Sequence, residues 1–355
     1  MKITIADIAR KAGVSKATVS RVLNNRPEGV GPETRQRIQD IVRETGFQPN
    51  SLARCLATGK SASVGVIIPD IVNPYYSLLV RGAEDTLKKA GYSLFLCNSD
   101  HNIVKEKEYV TVLIEKGVDG IILDSAESDC DCQLELLDDE NIPYVLVDRI
   151  IEGPAKYPGV YVDNRQGGRL AASYLLSKPG SSLLFINGPL DYSQSRDRQN
   201  GVEDIVRENG LAESSVRIVY GDFSIESGYR LTKDLLSNHH PASFGSFPFT
   251  AIFTANDLMA VGALRALKKA GISVPEQVEI IGFDDIELAT LVDPPLSTVS
   301  QPAFEMGARS AGMLCQMMAG RRPRTKTITL ETNLIFRGTT RCKESGKNCF
   351  SVPGH

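Results

Sequence analysis

Residues 4–24 read Thr4-Ile5-Ala6-Asp7-Ile8-Ala9-Arg10-Lys11-Ala12-Gly13-Val14-Ser15-Lys16-Ala17-Thr18-Val19-Ser20-Arg21-Val22-Leu23-Asn24. Ile5, Ile8, Ala9 and Ala12 recur at helical spacing, with Thr4 placed to cap the first turn. Ala12-Gly13-Val14 supplies the small residues that a tight turn needs. Ser15 then caps a second helix, whose apolar stripe is Val19, Val22 and Leu23. Two short helices joined by a glycine-containing turn make a helix-turn-helix, and the major groove of duplex DNA admits one helix. Lys16, Ala17, Ser20 and Arg21 fall opposite the stripe, where a guanidinium would bridge guanine O6 and N7 and a methyl would touch thymine. Ser15 and Thr18 suit phosphate oxygens, which position a protein without reading sequence. For any one of these six, plain solvent exposure is the competing reading.

Outward from this stretch, Glu33 to Thr45 predicts a third helix with Ile38, Ile41 and Val42 inward and Gly46 as its stop. Pro49-Asn50-Ser51-Leu52-Ala53-Arg54-Cys55-Leu56-Ala57-Thr58-Gly59 reads as a short capped helix, too short to stand alone in water and suited to folding on binding. Residues 1–60 carry 11 Lys and Arg against 5 Asp and Glu, while the whole chain of 355 residues carries 40 against 43. A basic head on an acidic body points to a polyanion as the head's partner.

The stretch from Ile5 to Asn24, together with Pro49 to Leu56, resembles the headpiece and hinge of the lactose- and galactose-repressor (LacI/GalR) family. The resemblance implies a transcription regulator working as a homodimer on a palindromic operator in double-stranded DNA, with Asn50, Ala53 and Leu56 as hinge contacts. In that family the leucine at this position wedges into the minor groove, where an apolar wedge kinks the duplex. The family usually has a small polar residue where Cys55 stands. Thr58-Gly59-Lys60-Ser61 imitates the end of a phosphate-binding loop, but Arg54 stands where its first glycine belongs, and the stretch precedes a strand.

From Ser63 the pattern changes to short apolar runs alternating with amphipathic helices. Strands are expected at Val64–Ile68, Tyr92–Cys97, Gly120–Leu123, Tyr144–Val147, Leu183–Ile186, Val216–Tyr220, Ala251–Phe253 and Val278–Ile281. Helices are expected near Tyr75–Ala90, Ile103–Glu115 and Gln166–Leu176. This βαβα alternation implies an α/β fold of parallel sheets covered on both faces. The fold class is therefore an all-α helix-turn-helix headpiece plus a two-lobed, doubly wound parallel-sheet domain like that of periplasmic sugar-binding proteins. Expected boundaries are 1–48 for the head, 49–61 for hinge and linker, and 62–342 for the body. Within the body, lobe 1 takes about 62–163 and 296–323, and lobe 2 about 164–295 and 324–342. Residues 343–355 are expected to be a disordered tail.

Open α/β sheets bind ligands at the carboxyl ends of their strands. A monosaccharide needs aromatic faces for its C–H surface and charged or amide groups for its hydroxyls. The strand ends supply both kinds, and resemblance to ribose-binding proteins and ribose-operon repressors implies effector contacts at Asn73, Tyr75, Tyr76, Asp148, Arg149, Arg198, Phe223, Asn256, Asp284 and Gln301. Tyr192 and Gln194, expected in the loop before Arg198, add to the set. Singly, Tyr75 or Phe223 reads equally as a core aromatic and Asn256 as a helix cap. Two tyrosines stand where sugar-binding relatives often carry phenylalanine, and Arg149 and Arg198 also suit an acid. The expected effector is ribose or a related pentose, with a sugar acid, sugar phosphate or nucleoside as alternatives. Whether it releases DNA or favours binding stays open, as does activation in place of repression.

No nucleophile elbow, glycine-rich dinucleotide turn or histidine-based metal cluster occurs, so neither an enzyme nor a cofactor is expected. Cys130 and Cys132 are the only close cysteine pair, and their one-residue spacing is not that of a zinc knuckle. The odd total of 7 cysteines argues against a disulfide framework. No apolar run nears the ~18–20 residues that cross a bilayer, and the N-terminus lacks the apolar core of a signal peptide. A cytoplasmic address without membrane contact is expected.

Overall fold

The computed structural model describes residues 3–23, 28–47, 60–125, 131–149, 157–237 and 247–341. They divide into two units, 1–62 and 63–355. In the first, helices α1 (Ile5–Ala12), α2 (Lys16–Leu23) and α3 (Pro32–Thr45) enclose Ile8, Ala9, Ala12, Val19, Val22 and Ile38. Thr4 and Asp7 form a reciprocal capping box on α1, at 3.4 Å and 3.1 Å. Gly13 ends that helix at φ 63°, a left-handed conformation that costs glycine nothing and most residues 1–2 kcal/mol, about. Ile41 and Val42 are only half-buried, at the edge of this core.

The second unit holds two six-stranded sheets. Sheet one orders β11-β5-β4-β3-β1-β2, where β1 is Ser63–Ile68, β2 Ser93–Asn98, β3 Gly120–Leu123, β4 Tyr144–Val147, β5 Gly159–Val162 and β11 Thr327–Leu330. Each pairing in it is parallel. Sheet two orders β12-β10-β9-β8-β6-β7, where β6 is Leu183–Asn187, β7 Val216–Tyr220, β8 Ala251–Thr254, β9 Glu279–Asp284, β10 Ser297–Ser300 and β12 Asn333–Ile335. It is parallel except where β12 runs against β10. Apart from the appended β11 and β12, both sheets follow the flavodoxin-like order, whose direction reverses at β1/β3 and at β6/β8. Loops leave on opposite faces there, opening a crevice.

Fully buried central strands explain why the sequence reads as unbroken apolar runs at β1, β3, β4, β6 and β8. The intervening helices are α4 (Pro74–Lys89), α5 (Ile103–Glu115), α6 (Asp131–Asp139), α7 (Asn164–Leu175), α8 (Ser193–Glu208), α9 (Ile225–Ser237), α10 (Asp257–Lys269), α11 (Leu288–Leu291) and α12 (Ala303–Met318).

The chain passes between lobes after β5, after β10 and after β11. That corrects the expected boundaries. Residues 297–300 lie in the second sheet, paired with β9, and 327–330 lie in the first, paired with β5. Each of those two strands is short and sits just before a crossing, so apolar pattern alone could not assign its sheet. Strands β5 and β12 and helices α6, α8, α9, α10, α11 and α12 were not among the elements expected by position; α6 is largely acidic and polar, which hides its periodicity. The expected hinge at 49–59 and the tail from 343 lie outside the described residues, as does Cys130. Among the described residues no helix is long and apolar enough to cross a membrane.

Candidate functional site

Ser15 caps α2: its hydroxyl accepts from the Thr18 amide at 3.1 Å and lies 2.9 Å from the Thr18 hydroxyl. With Val19 and Val22 turned into the core, Lys16, Ala17 and Arg21 are exposed, and Thr18 and Ser20 half-buried. Of the six head residues expected to meet DNA, Ser15 thus caps α2 and the other five lie on it, Lys16, Ala17 and Arg21 exposed. Asn50, Ala53 and Leu56 lie outside the described residues.

In the second unit a narrow cleft lies at the carboxyl ends of both sheets, closed down to about 30 Å³ of free space. All ten expected effector residues line it: Asn73, Tyr75, Tyr76, Asp148 and Arg149 from lobe one, Arg198, Phe223, Asn256 and Asp284 from lobe two, and Gln301 beyond β10. Asn73 and Asn256 also cap α4 and α10, accepting from Tyr75 N at 3.0 Å and Met259 N at 2.9 Å. Cap and lining residue are here one side chain, because the helix after each strand starts at the cleft.

Four lining residues hold left-handed backbone although none is glycine: His101 at φ 55°, Asp148 at φ 67°, Phe223 at φ 66° and Asp284 at φ 114°. Such strain costs about 1–3 kcal/mol per residue and persists only where the surroundings over-determine it. Around Asp284, Thr298 donates to Asp257 at 2.6 Å and Ile286 N donates to the same carboxylate at 3.0 Å. Arg337 adds an ion pair to Asp285 at 2.6 Å.

The polar groups form a cross-braced set. Tyr75 donates to Asp148 at 2.7 Å, and Gln301 Nε2 donates to Asp284 at 2.6 Å. The Arg149 guanidinium lies 3.4 Å from Asp124, donates to the Ser125 carbonyl, and stacks 4.1 Å from the Tyr192 ring centre. Arg198 donates to Asn164 at 2.9 Å and to the Ala255 carbonyl, and lies 3.7 Å over the Phe283 ring. Gly168 and Gly201 bring α7 and α8 close enough for this: a Cβ on Gly168 would stand 2.2 Å from the Arg198 carbonyl oxygen.

Burial sets the charge states. Desolvation, with Asp148 adding to it and Arg198 and Gln301 opposing, pushes the Asp284 carboxyl up to about 7. Desolvation also raises Asp124, against the pull of Arg149. Tyr75 and Tyr76 are pushed well above the usual phenol range by burial and neighbouring aspartates. Desolvation and the Arg149 charge lower His101.

Residues 4–50 match the family described as "Bacterial regulatory proteins, lacI family", and residues 168–340 match "Periplasmic binding protein-like domain". The ribose operon repressor of Halalkalibacterium halodurans is 35% identical over 97% of this chain and 99% of its own length. The chain belongs to the LacI family. A LacI-family transcriptional regulator from Enterococcus faecium with bound ribose superposes with a TM-score of 0.70 at 29% identity, covering 78% of this chain and 98% of that one. The lac repressor dimer bound to operator and an anti-inducer gives a TM-score of 0.82 at 26% identity, covering 96% and 99%. This LacI-family chain is a transcription regulator with a DNA-binding head, and not an enzyme.

The cleft also holds residues that sequence reading missed: Asp70 and His101 line it, and Asp124 lies beneath. Asp70 and Asp124 stand at the ends of β1 and β3, the same strand-end signal that pointed to Asp148. His101 sits in a turn at φ 55°, with no pattern to flag it. Gln194, expected in a loop, lies in the first turn of α8, and Tyr192 is that helix's N-cap. The polar start of α8 conceals its helical period until Val202 and Ile205.

Proposed function

We propose that this regulator represses transcription as a homodimer on a palindromic operator, and that a small neutral polyhydroxylated effector, ribose or a related pentose, bound between the lobes sets its operator affinity. The observation that carries this reading is the single cleft joining all ten strand-end residues. Gln194 Oε1 and Gln301 Oε1 are buried there without a partner among the described residues. A buried acceptor left unpaired costs about 1–3 kcal/mol, which a sugar hydroxyl would recover. Two relatives, one named for the ribose operon and one solved with ribose, add weight.

The charges favour a neutral ligand over a sugar acid or phosphate. Arg149 is engaged by Asp124 and the Ser125 carbonyl, and Arg198 by Asn164 and the Ala255 carbonyl. Asp148 and Asp284 line the same space, and the Asp284 carboxyl opposes an anion increasingly as pH rises through about 7. An effector that prefers one lobe arrangement would shift the first lobe and separate or bring together the paired hinges, which sets whether Leu56 enters the minor groove.

Calorimetric titration with D-ribose, set beside glucose, galactose, a sugar acid and a nucleoside, tests the reading. Micromolar heat with ribose alone supports it. Binding of the sugar acid in preference to ribose would sink the neutral-ligand reading and leave the regulator standing.

A further inference from the structure

The loop after α12 carries Arg321, Arg322, Arg324 and Lys326, all exposed. Among the described residues no acid comes within ion-pair distance of them, although Asp138 lines the same groove as Arg321, Arg322 and Lys326. The last turn of α12 favours cations through its dipole, but that effect fades within one turn and does not reach Arg324 or Lys326. Four free cations in six residues stand out on a body that is otherwise acidic.

Their place in the sheet suggests their use. Lys326 immediately precedes β11, and its carbonyl accepts from Gly159 N, at the start of β5, at 2.9 Å. The loop therefore lies at the amino edge of sheet one, opposite the effector cleft. Ser63, the first residue of β1, lies on that edge too: its carbonyl accepts from Asp119 N at 2.8 Å, just before β3. The tether of the DNA-binding head enters the body at this residue, whatever the head's orientation. Between β1 and β11 stand β3, β4 and β5, so the loop lies about 19 Å along the edge from the tether, at ~4.8 Å per strand. B-DNA presents a negative charge about every 1.7 Å of its axis.

We propose that Arg321, Arg322, Arg324 and Lys326 form a second phosphate-binding site, through which the body itself holds the backbone of duplex DNA that the head engages. Arginine forks fit phosphate oxygens in pairs, and contacts of this kind add affinity without sequence preference. The site rests on the head's binding to DNA and is independent of the effector's identity.

The test is fluorescence anisotropy of full-length protein on a labelled random-sequence duplex, from about 50 to 200 mM salt, the range where phosphate contacts show. The variant R321Q/R322Q/R324Q/K326Q is compared with R217Q/K233Q/K268Q/K269Q, which removes as much charge from exposed positions on lobe two. Each lost phosphate contact lowers the slope of log affinity on log salt by about 0.9. The loop variant is expected to lose about 2 or more of that slope and about tenfold in affinity at the lowest salt, with the control close to the parent. Equal losses in both variants, or a loop variant with the parent's slope, would overturn the site. So would unchanged DNA binding with lost binding to poly-L-glutamate, which would make the loop a protein-docking surface. A parent that binds no DNA at any of these salts would overturn the DNA reading of the head as well.

Discussion

The side-chain amide of Gln194, on α8 of lobe two, donates to the Asp148 carboxylate, at the end of β4 of lobe one, across 3.1 Å. It joins the lobes beside Arg149 and His101 of lobe one, which pack on Tyr192 of lobe two. A hydrogen bond to an ionised group contributes about 1.5–3 kcal/mol. Gln194→Leu removes the bond and the unpaired acceptor together, while Asp148 keeps the Tyr75 hydroxyl. Ribose affinity is expected to fall roughly tenfold to a hundredfold by calorimetry. The melting temperature of the ligand-free protein should move by only about 2 °C, since a single bond spreads over a large cooperative unit. A variant that binds ribose like the parent would detach Gln194 from the effector.

Asp284 titrates near neutrality, and the sign of its effect on stability follows. Its carboxyl is held at about 7 when folded and returns to 3.8 when unfolded. Between those values the folded chain binds the extra proton, so stability falls as pH rises from about 4 to about 7 and is level above. The raised carboxyls of Asp124 and Asp257 act in the same direction. Asp284→Asn, which still offers Gln301 an acceptor, removes one part of that fall. In melts at pH 5 and pH 8, variant and parent are expected to be close at the lower pH, with the variant the more stable at the higher. An unchanged difference at the two pH values would contradict the assigned ionisation.

Arg198 is a structural group as well as a proposed ligand contact. Its guanidinium is buried, its neighbours Asn164 and Ala255 accept from it, and Phe283 lies under its plane. Arg198→Ala leaves those acceptors unpaired and opens a cavity, at a cost of about 3–5 kcal/mol in a urea titration. Loss of sugar binding in that variant alone would thus say little about recognition. Phe223→Leu is the sharper probe. It removes an aromatic face from the cleft but keeps the volume that packs on lobe two, so ribose affinity should drop with a stability loss of about 1 kcal/mol.

Much of this was legible because geometry repeats. Each buried strand is an apolar run, and the residues just past it must face the cleft. That is why Asn73, Asp148, Asn256 and Asp284 could be named before any coordinates. The same rule, applied evenly, reaches Asp70 and Asp124, which stand at the same kind of strand end. His101 and Gln194 were not legible in that way. One is placed by a left-handed turn, the other by a helix whose first two turns are nearly all polar. The assignment of 297–300 and 327–330 to their sheets depends on pairing partners far away in the chain, information that no local period carries.

The outward side of α2 permits a prediction that separates reading from holding. Arg21 is exposed near the end of the helix, and Lys16 is exposed at its start, next to the Ser15 cap. A guanidinium that bridges guanine O6 and N7 is worth about 1–3 kcal/mol against the wrong base, whereas a phosphate contact weakens all sequences alike when lost. On an operator selected from a random duplex pool, Arg21→Ala should lower affinity about tenfold to a hundredfold and relax preference at one base pair of each half-site. Thr18→Val, which removes a hydroxyl set for phosphate but keeps the shape of the side chain, should weaken selected and random duplexes by the same small factor. Base preference measured by competition decides between them. If Arg21→Ala leaves every position of the selected site equally constrained, Arg21 holds the backbone and another side chain of α2 reads the groove.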